Sequence, residues 1–308
     1  MRTKDLPKFL LGILLLVYIV YSIGINDILN ALLKVKLHFL LLAIFFYFLL
    51  DLGLSYRVYL CLKWLGHEVS WKDVFWSHLF GMFLSNFTPG RAGYIGMVYN
   101  LRNKAKVPVS EGMSAIGVVQ SIDFVVKGFA ALLGLSFILM MVGGGRIVEL
   151  GLMGVGAVFL LSLSFLALMW RDIPLALKLI KKLPLVGERT GNFLEDMKDP
   201  SRKLKDKTPV FAGFSLLFWL IRGLEWTSIG YACNIPLPFL VFWLLHPLLT
   251  SIRYVPLTPA GMGMFEGITL IGFSIFGVPP ENAFLLSLFD RLDNILIDFL
   301  AIKEFRYL

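Results

Sequence analysis

The sequence predicts an all-α, polytopic integral membrane protein with about six full spans and two broken, re-entrant hairpins in an inverted repeat. Three observations predict this fold: the composition, the length of the apolar blocks and one repeated motif. Of the 308 residues, 57% are hydrophobic and 16% are charged, whereas soluble domains carry about 25% charged residues. The apolar residues come in unbroken blocks as long as a bilayer is thick. We therefore expect lipid around most of the chain.

The longest apolar blocks are predicted to be full spans. The first block has basic residues at its start, Arg2, Lys4 and Lys8, but is not followed by the small-residue cleavage site of a signal peptide, so we expect it to remain as a span. In chain order, the predicted spans are residues 6–24, 37–62, 109–141, 147–169, 210–233 and 281–302.

Two further apolar segments, residues 73–101 and 238–276, are too short and too rich in Gly and Pro to be full spans. Each is expected to form a helix, a break and a second helix. Pro removes a backbone donor and Gly permits the break, so main-chain groups are left that must face protein, water or a ligand. A wet cavity is the favoured interpretation of these breaks, and a tight turn packed against neighbouring helices is the alternative.

Both broken segments contain the pattern Thr-Pro-small-x-x-Gly, at an offset of 170 residues from Thr88 to Thr258. A Val-Pro pair follows each pattern and opens the next helix. The predicted topology puts these two Val-Pro pairs on opposite sides of the membrane, which makes the repeats inverted, as in many transporters. The residues predicted to form the substrate site at the two breaks are Asn86, Thr88, Pro89, Gly90, Arg91, Gly93, Thr258, Pro259, Gly261 and Gly263.

The distribution of Lys and Arg predicts the orientation. With the N-terminus in the cytoplasm, the cytoplasmic segments hold 20 Lys and Arg residues and the outer loops hold 3. Because this bias sets topology, we expect a multi-pass plasma-membrane protein with both termini in the cytoplasm. Residues 1–308 then form a single transmembrane domain. Its repeats, about 37–141 and 207–308, are joined by a span at 147–169 and a cytoplasmic segment at 171–209.

Ionisable residues inside the predicted membrane segments are the other candidate site residues. Each costs about 2.5–3.5 kcal/mol at mid-bilayer, so it needs a partner or a function. Helical spacing allows Asp123 to meet Lys127 and Arg222 to meet Glu225, either as structural ion pairs or within the site. Arg57, near the end of its span, is expected to snorkel to the surface. The other candidates are Arg253, Glu266, Asp290, Arg291 and Asp293, expected to form a hydrated groove with Arg91.

A cationic groove in a membrane favours an anionic substrate, and the fork geometry of Arg suits phosphate. A lipid head group is the natural candidate. The carboxylates of Asp123, Glu266, Asp290 and Asp293 would contact a positive head-group moiety or carry a coupling proton, and the sequence leaves both open.

Motifs for other functions were not found. The chain has no nucleotide-binding Gly-x-x-x-x-Gly-Lys-Ser/Thr loop, no zinc-protease signature and no Gly-x-Ser-x-Gly. We therefore predict no catalytic residue, no metal ligand and no cofactor. The net charge of +8 comes mostly from loops beside spans, so it does not predict nucleic-acid binding.

The segments Asn86 to Gly93, Val107 to Asp123, and Val255 to Gly263 with Glu266 resemble the flippase-like family, the lysylphosphatidylglycerol synthase transmembrane region, also called UPF0104. The resemblance covers nearly the whole chain. It implies movement of modified phospholipid between leaflets. Synthase activity is not implied, because a separate soluble domain makes the lipid in those synthases. One difference is Ser121, in the stretch before Asp123 where we expect an Arg; either Lys127 supplies that charge or the first repeat binds its ligand differently.

The leading functional hypothesis is a lipid flippase in which Arg91, Arg253 and Arg291 contact the phosphate of a phospholipid or polyprenyl-phosphate. The first alternative is a membrane-embedded transferase acting on such a lipid, with a carboxylate as base. The second is a scaffold that docks partners through residues 171–209. A homo-oligomer and a separate lipid-modifying enzyme are left open as partners.

Overall fold

The computed structural model of the chain describes residues 6–143 and 187–307, with isolated positions between 155 and 181. These residues are mostly helical, and the β contact among them is a single bridge between Pro89 and Pro259. The predicted all-α fold is confirmed. The first part of the chain forms α1 (Leu6–Ile23), α2 (Ile25–Leu33), α3 (Leu37–Trp64), α4 (Trp71–Asn86), α5 (Gly96–Ala105) and α6 (Val109–Val142).

The second part forms α7 (Gly187–Lys203), α8 (Thr208–Ala232), α9 (Phe239–Thr250), α10 (Met264–Ser274) and α11 (Pro280–Asp298). Short 3-10 segments connect or extend these helices at Ala92–Ile95, Lys205–Lys207, Ser251–Tyr254 and Phe299–Tyr307.

Four of the predicted spans coincide with helices long and apolar enough to cross a membrane, namely α1, α3, α6 and α8 with the turn before it. The predicted span 281–302 corresponds to α11, whose inner face is polar: Asp290, Asp293, Asn294 and Asp298 are all buried. The predicted span 147–169 and the first part of the connecting segment 171–209 lie largely outside the described residues, whereas the second part of that segment contains α7.

Apolar side chains cover the outside of the described bundle and polar ones lie within it. Leu14 and Tyr21 are 65% and 85% exposed, whereas Asp51 and Glu225 are both 0% exposed. A soluble protein has the opposite arrangement, because water solvates charges and excludes apolar surface. The apolar exterior therefore fits a lipid environment.

The two broken segments form the predicted helix–break–helix elements. The first consists of α4, a break at residues 87–95 and α5, and the second of α9, a break at residues 251–263 and α10. Long helices surround them: α8 packs along α3, α9 packs against α6, and α11 contacts α2, α3, α4 and α8. Both breaks thus contact neighbouring helices, but each is also partly exposed, with Phe87 and Leu257 at 47% and 53%.

Candidate functional site

The two breaks meet inside the bundle. The amide of Ala260 donates a hydrogen bond of 3.2 Å to the carbonyl of Thr88, and Pro89 pairs antiparallel with Pro259. Gly90 lies so close to the second break that a Cβ on it would be 3.3 Å from the carbonyl oxygen of Tyr254. Some of the main-chain groups freed by one break are thus satisfied by the other.

The first break is held by its own motif residues. The hydroxyl of Thr88 accepts a hydrogen bond of 2.7 Å from the amide of Gly93. Gly90 and Arg91 have φ values of 62° and 58°, so both adopt the left-handed conformation. A Cβ on Gly93 would lie 2.4 Å from the carbonyl carbon and oxygen of Leu84. The motif therefore needs small residues here for close packing, and its geometry places Arg91 at the centre of the break.

The second break is held differently. The hydroxyl of Thr258, the counterpart of Thr88, is buried and has no hydrogen-bond partner among the described residues. Gly261 and Gly263 have φ values of 70° and 78°. The amide of Gly263 donates a hydrogen bond of 2.7 Å to Oε2 of Glu266, a side-chain cap at the start of α10. Glu266 thus shapes the backbone of this break.

A cavity of about 320 Å³ lies beside both breaks, at the small end of the roughly 300–1,000 Å³ of ligand pockets. The first break lines it with Gly90, Arg91 and Tyr94, and the second with Tyr254. Helices α3, α4, α6, α8 and α9 supply the rest of the wall. The charged residues in this wall are Arg91, Asp123, Lys127 and Arg222.

Two of these charges are neutralised by neighbours. Arg57 Nη1 and Nη2 lie 2.6 Å and 2.5 Å from the two carboxylate oxygens of Asp123, which also accepts a hydrogen bond of 2.5 Å from Ser215. Arg222 Nη1 lies 2.9 Å and 2.7 Å from the two oxygens of Glu225. The predicted contact between Arg222 and Glu225 is therefore present.

The other two cations in the wall, Arg91 and Lys127, contact no carboxylate in the described part of the chain. The Lys127 ammonium lies 4.9 Å from the centre of the Tyr254 ring. Arg91 has weak contacts, with its Nε 3.4 Å from Ser85 Oγ and its Nη2 4.0 Å from Met82 Sδ. The cavity wall thus carries two positive charges without a carboxylate partner.

Two expectations about charges need correction. Arg57 does not snorkel: its side chain is 1% exposed and forms the ion pair with Asp123. As a result, Asp123 pairs with Arg57 of α3 and not with Lys127 of its own helix. The fork of Arg57 reaches both carboxylate oxygens, which the single ammonium of Lys127 does not match.

Arg253 at the second break and Glu266 on α10 form ion pairs with α11, outside the cavity wall. Arg253 pairs with Asp290, which also accepts a hydrogen bond of 2.6 Å from the indole of Trp226. Arg291 Nη2 lies 2.8 Å from Glu266 Oε1. Asp293 is buried, and its Oδ2 has no hydrogen-bond partner among the described residues. Arg91 thus lines the cavity and Arg253 and Arg291 do not, whereas we expected all three in one groove.

A buried chain of polar side chains at the cavity was not predicted from the sequence. His78 Nδ1 lies 2.8 Å from the Tyr94 hydroxyl, and His78 Nε2 lies 3.2 Å from Asp51 Oδ1. The side chain of Asn86 donates a hydrogen bond of 2.7 Å to a further buried carboxylate, Asp298. Asp51 and Asp298 both fall within predicted spans, so the criterion applied to other intramembrane charges would have found them.

The described residues include no group of three or more His, Cys, Asp or Glu that could hold a metal ion. The polar groups brought together here are suited to binding an anion through Arg91 and Lys127 and to exchanging protons through His78.

Comparison with known proteins places the chain in a family. The family model for the lysylphosphatidylglycerol synthase TM region matches residues 6–301. A UPF0104 membrane protein of Methanocaldococcus jannaschii is 23% identical over 311 residues, covering 94% of this chain and 90% of the relative. A UPF0104 membrane protein of Methanothermobacter thermautotrophicus is 22% identical, covering 95% and 91%. Because the family match spans almost the whole chain, this multi-pass membrane protein belongs to the lysylphosphatidylglycerol synthase transmembrane-region family.

Proposed function

We propose that the protein is a flippase that moves a phosphate-bearing lipid between bilayer leaflets, with Arg91 and Lys127 binding the phosphate in the cavity. The observation that carries the proposal is the pair of cations, Arg91 and Lys127, that face one cavity where the two breaks meet and have no carboxylate partner among the described residues. Such charges are costly in a low-dielectric interior and are therefore typical of a functional site. A phosphate compensates them, since Arg binds it with two parallel hydrogen bonds and Lys as a point charge.

The size of the cavity supports a lipid head group as the occupant. A volume of about 320 Å³ suits a head group without its acyl chains. The chains would remain in the surrounding bilayer. The name of the family refers to the synthase of a modified phospholipid, which also favours a phospholipid substrate, with a polyprenyl-phosphate as the other candidate.

The geometry changes which residues we propose for phosphate contact. Arg253 and Arg291 are neutralised by Asp290 and Glu266, so we propose that they hold the second break in shape. Lys127 takes their place at the phosphate.

The hydrogen bonds made by the carboxylate in the cavity wall favour transport over the transferase alternative. Asp123 is held by Arg57 and by Ser215. Both of its carboxylate oxygens accept hydrogen bonds from Arg57, whereas the transferase would need a carboxylate that is free to accept a proton from its substrate. We also infer, from the 20 to 3 distribution of Lys and Arg, a plasma-membrane location with both termini in the cytoplasm.

The proposal is tested with purified protein in liposomes that contain fluorescently labelled phosphatidylglycerol. Bleaching of the outer leaflet by a reagent that does not cross the membrane reports how fast labelled lipid reaches it. Arg91→Gln and Lys127→Gln should each slow this movement about tenfold, because each removes a charged hydrogen bond worth roughly 1.5 kcal/mol.

Arg102→Gln is the matched control, since Arg102 lies on α5 of the same hairpin but is exposed and outside the cavity wall. It should move lipid at the wild-type rate. A wild-type protein that moves labelled lipid no faster than protein-free liposomes would contradict the proposal.

A further inference from the structure

His78 sits in the cavity wall between two hydrogen-bonding partners from other elements. Tyr94 belongs to the 3-10 segment of the first break and also lines the cavity, whereas Asp51 lies on α3, behind the wall. The side chains of His78 and Asp51 are 1% and 0% exposed. The imidazole thus connects the cavity to a carboxyl group in the interior.

Asp51 differs from the carboxylates that line or border the site. Asp123, Glu225, Glu266 and Asp290 each contact an arginine. Asp51 contacts no Arg or Lys within ion-pair distance in the described ranges, and its Oδ2 has no hydrogen-bond partner there.

A second carboxyl group, Asp298, is also buried without an arginine or lysine contact in the described ranges. Its partners are the Tyr47 hydroxyl at 3.1 Å and the Asn86 amide at 2.7 Å. A buried carboxylate that lacks a cation favours a positive charge on a neighbouring group, and for Asp51 that neighbour is the imidazole of His78.

We propose that His78 and Asp51 form a proton-binding site coupled to the anion site, so that the protein carries a proton together with its phosphate-bearing lipid. The inference rests on the proposed function. The proton adds to the imidazole ring of His78, and the Nε2–H of the protonated ring donates to the carboxylate of Asp51. The proton returns to the cavity when the lipid leaves.

The coupling is electrostatic. Charged and titratable groups from several elements surround the pair of His78 and Asp51. They are Arg57 from α3, Arg91 from the first break, Arg222 from α8 and Asp298 from α11, together with Asp123, Lys127 and His246 of the cavity wall. In the empty cavity, Arg91 and Lys127 repel a protonated imidazole. A bound phosphate offsets that repulsion and attracts the proton. Each ligand therefore raises the affinity for the other by the same factor, typically about 5- to 150-fold in coupled sites.

The test measures proton uptake when lipid binds. The full chain in detergent is titrated with dioctanoyl phosphatidylglycerol, whose phosphodiester stays ionised at pH 7, in two buffers of different ionisation enthalpy. The difference in heat should show net proton uptake of at most one proton per bound lipid, the number that one imidazole accepts. His78→Gln and Asp51→Asn should still bind the lipid but lose the uptake.

His67→Gln is the matched control. His67 also contacts a carboxylate, with its Nε2 2.5 Å from Glu111, but lies outside the cavity wall. This variant should keep the wild-type proton uptake. Wild-type protein that binds lipid with the same heat in both buffers would overturn the inference while leaving the flippase proposal intact. Wild-type protein that binds no lipid would instead contradict the proposed function. Since both results come from the wild type, they stand even if a variant fails to fold.

Discussion

Arg57 and Asp123 form a two-pronged ion pair between α3 and α6, with N–O distances of 2.6 Å and 2.5 Å. The Arg57 side chain is 1% exposed and its guanidinium also lies 5.0 Å from the centre of the Phe218 ring. Ser215 of α8 bonds to both members of the pair. This pair therefore links three helices around the cavity.

Arg57→Met should destabilise the protein by about 3–5 kcal/mol, because it leaves the Asp123 charge partly buried without its partner. The double variant Arg57→Met, Asp123→Leu should recover much of that loss, since no charge is then left unpaired. Thermal unfolding of the purified protein in detergent measures both effects. Equal losses in the single and double variants would show that the charge left behind is not the cause.

Lys127→Met should stabilise the protein by about 1–2 kcal/mol, because it removes a charge that has no carboxylate partner among the described residues. The same variant should bind phosphatidylglycerol weakly. A higher unfolding temperature together with lost lipid binding is the signature of a functional charge, whereas a structural lysine would lower the unfolding temperature. Unfolding scans with and without dioctanoyl phosphatidylglycerol measure both properties.

Arg291→Met should destabilise the protein and leave lipid binding intact, the opposite of what we expect for Lys127→Met. It leaves the buried carboxylate of Glu266 without its cation, which we expect to cost about 3 kcal/mol or more. Lipid affinity measured by titration should stay within twofold of wild type, roughly 0.4 kcal/mol, because Arg291 lies outside the cavity wall. A loss of lipid affinity as large as that of Arg91→Gln would indicate instead that Arg291 contacts the phosphate.

Gly93→Ala should destabilise the first break. The added Cβ would lie 2.4 Å from the backbone of Leu84 in α4, and overpacking of this kind costs about 1–3 kcal/mol. Gly213→Ala on α8 is the control, since its Cβ would meet nothing within 4 Å. That variant should unfold at or above the wild-type temperature, because Ala favours a helix more than Gly does. Equal unfolding temperatures for the two variants would contradict the steric argument.

The sequence by itself determined the membrane class, the positions of the long apolar helices among the described residues and the two breaks. Block length, apolar composition and the Thr-Pro-Gly pattern are local properties, and helix formation and interruption follow from them. The same information placed Arg91 in the first break. It also predicted the contact of Arg222 with Glu225, because residues three apart on one helix are neighbours in any fold.

Only the tertiary structure decided which charges are paired and which face the cavity. Asp123 lies four residues from Lys127 but bonds to Arg57, 66 residues away in the chain. Likewise, Arg253 reaches Asp290 on α11, and His78 reaches Asp51 on α3. Such choices depend on how helices pack against one another, because a buried carboxylate takes the partner that best satisfies both of its oxygens in space. Spacing along one helix does not contain that information.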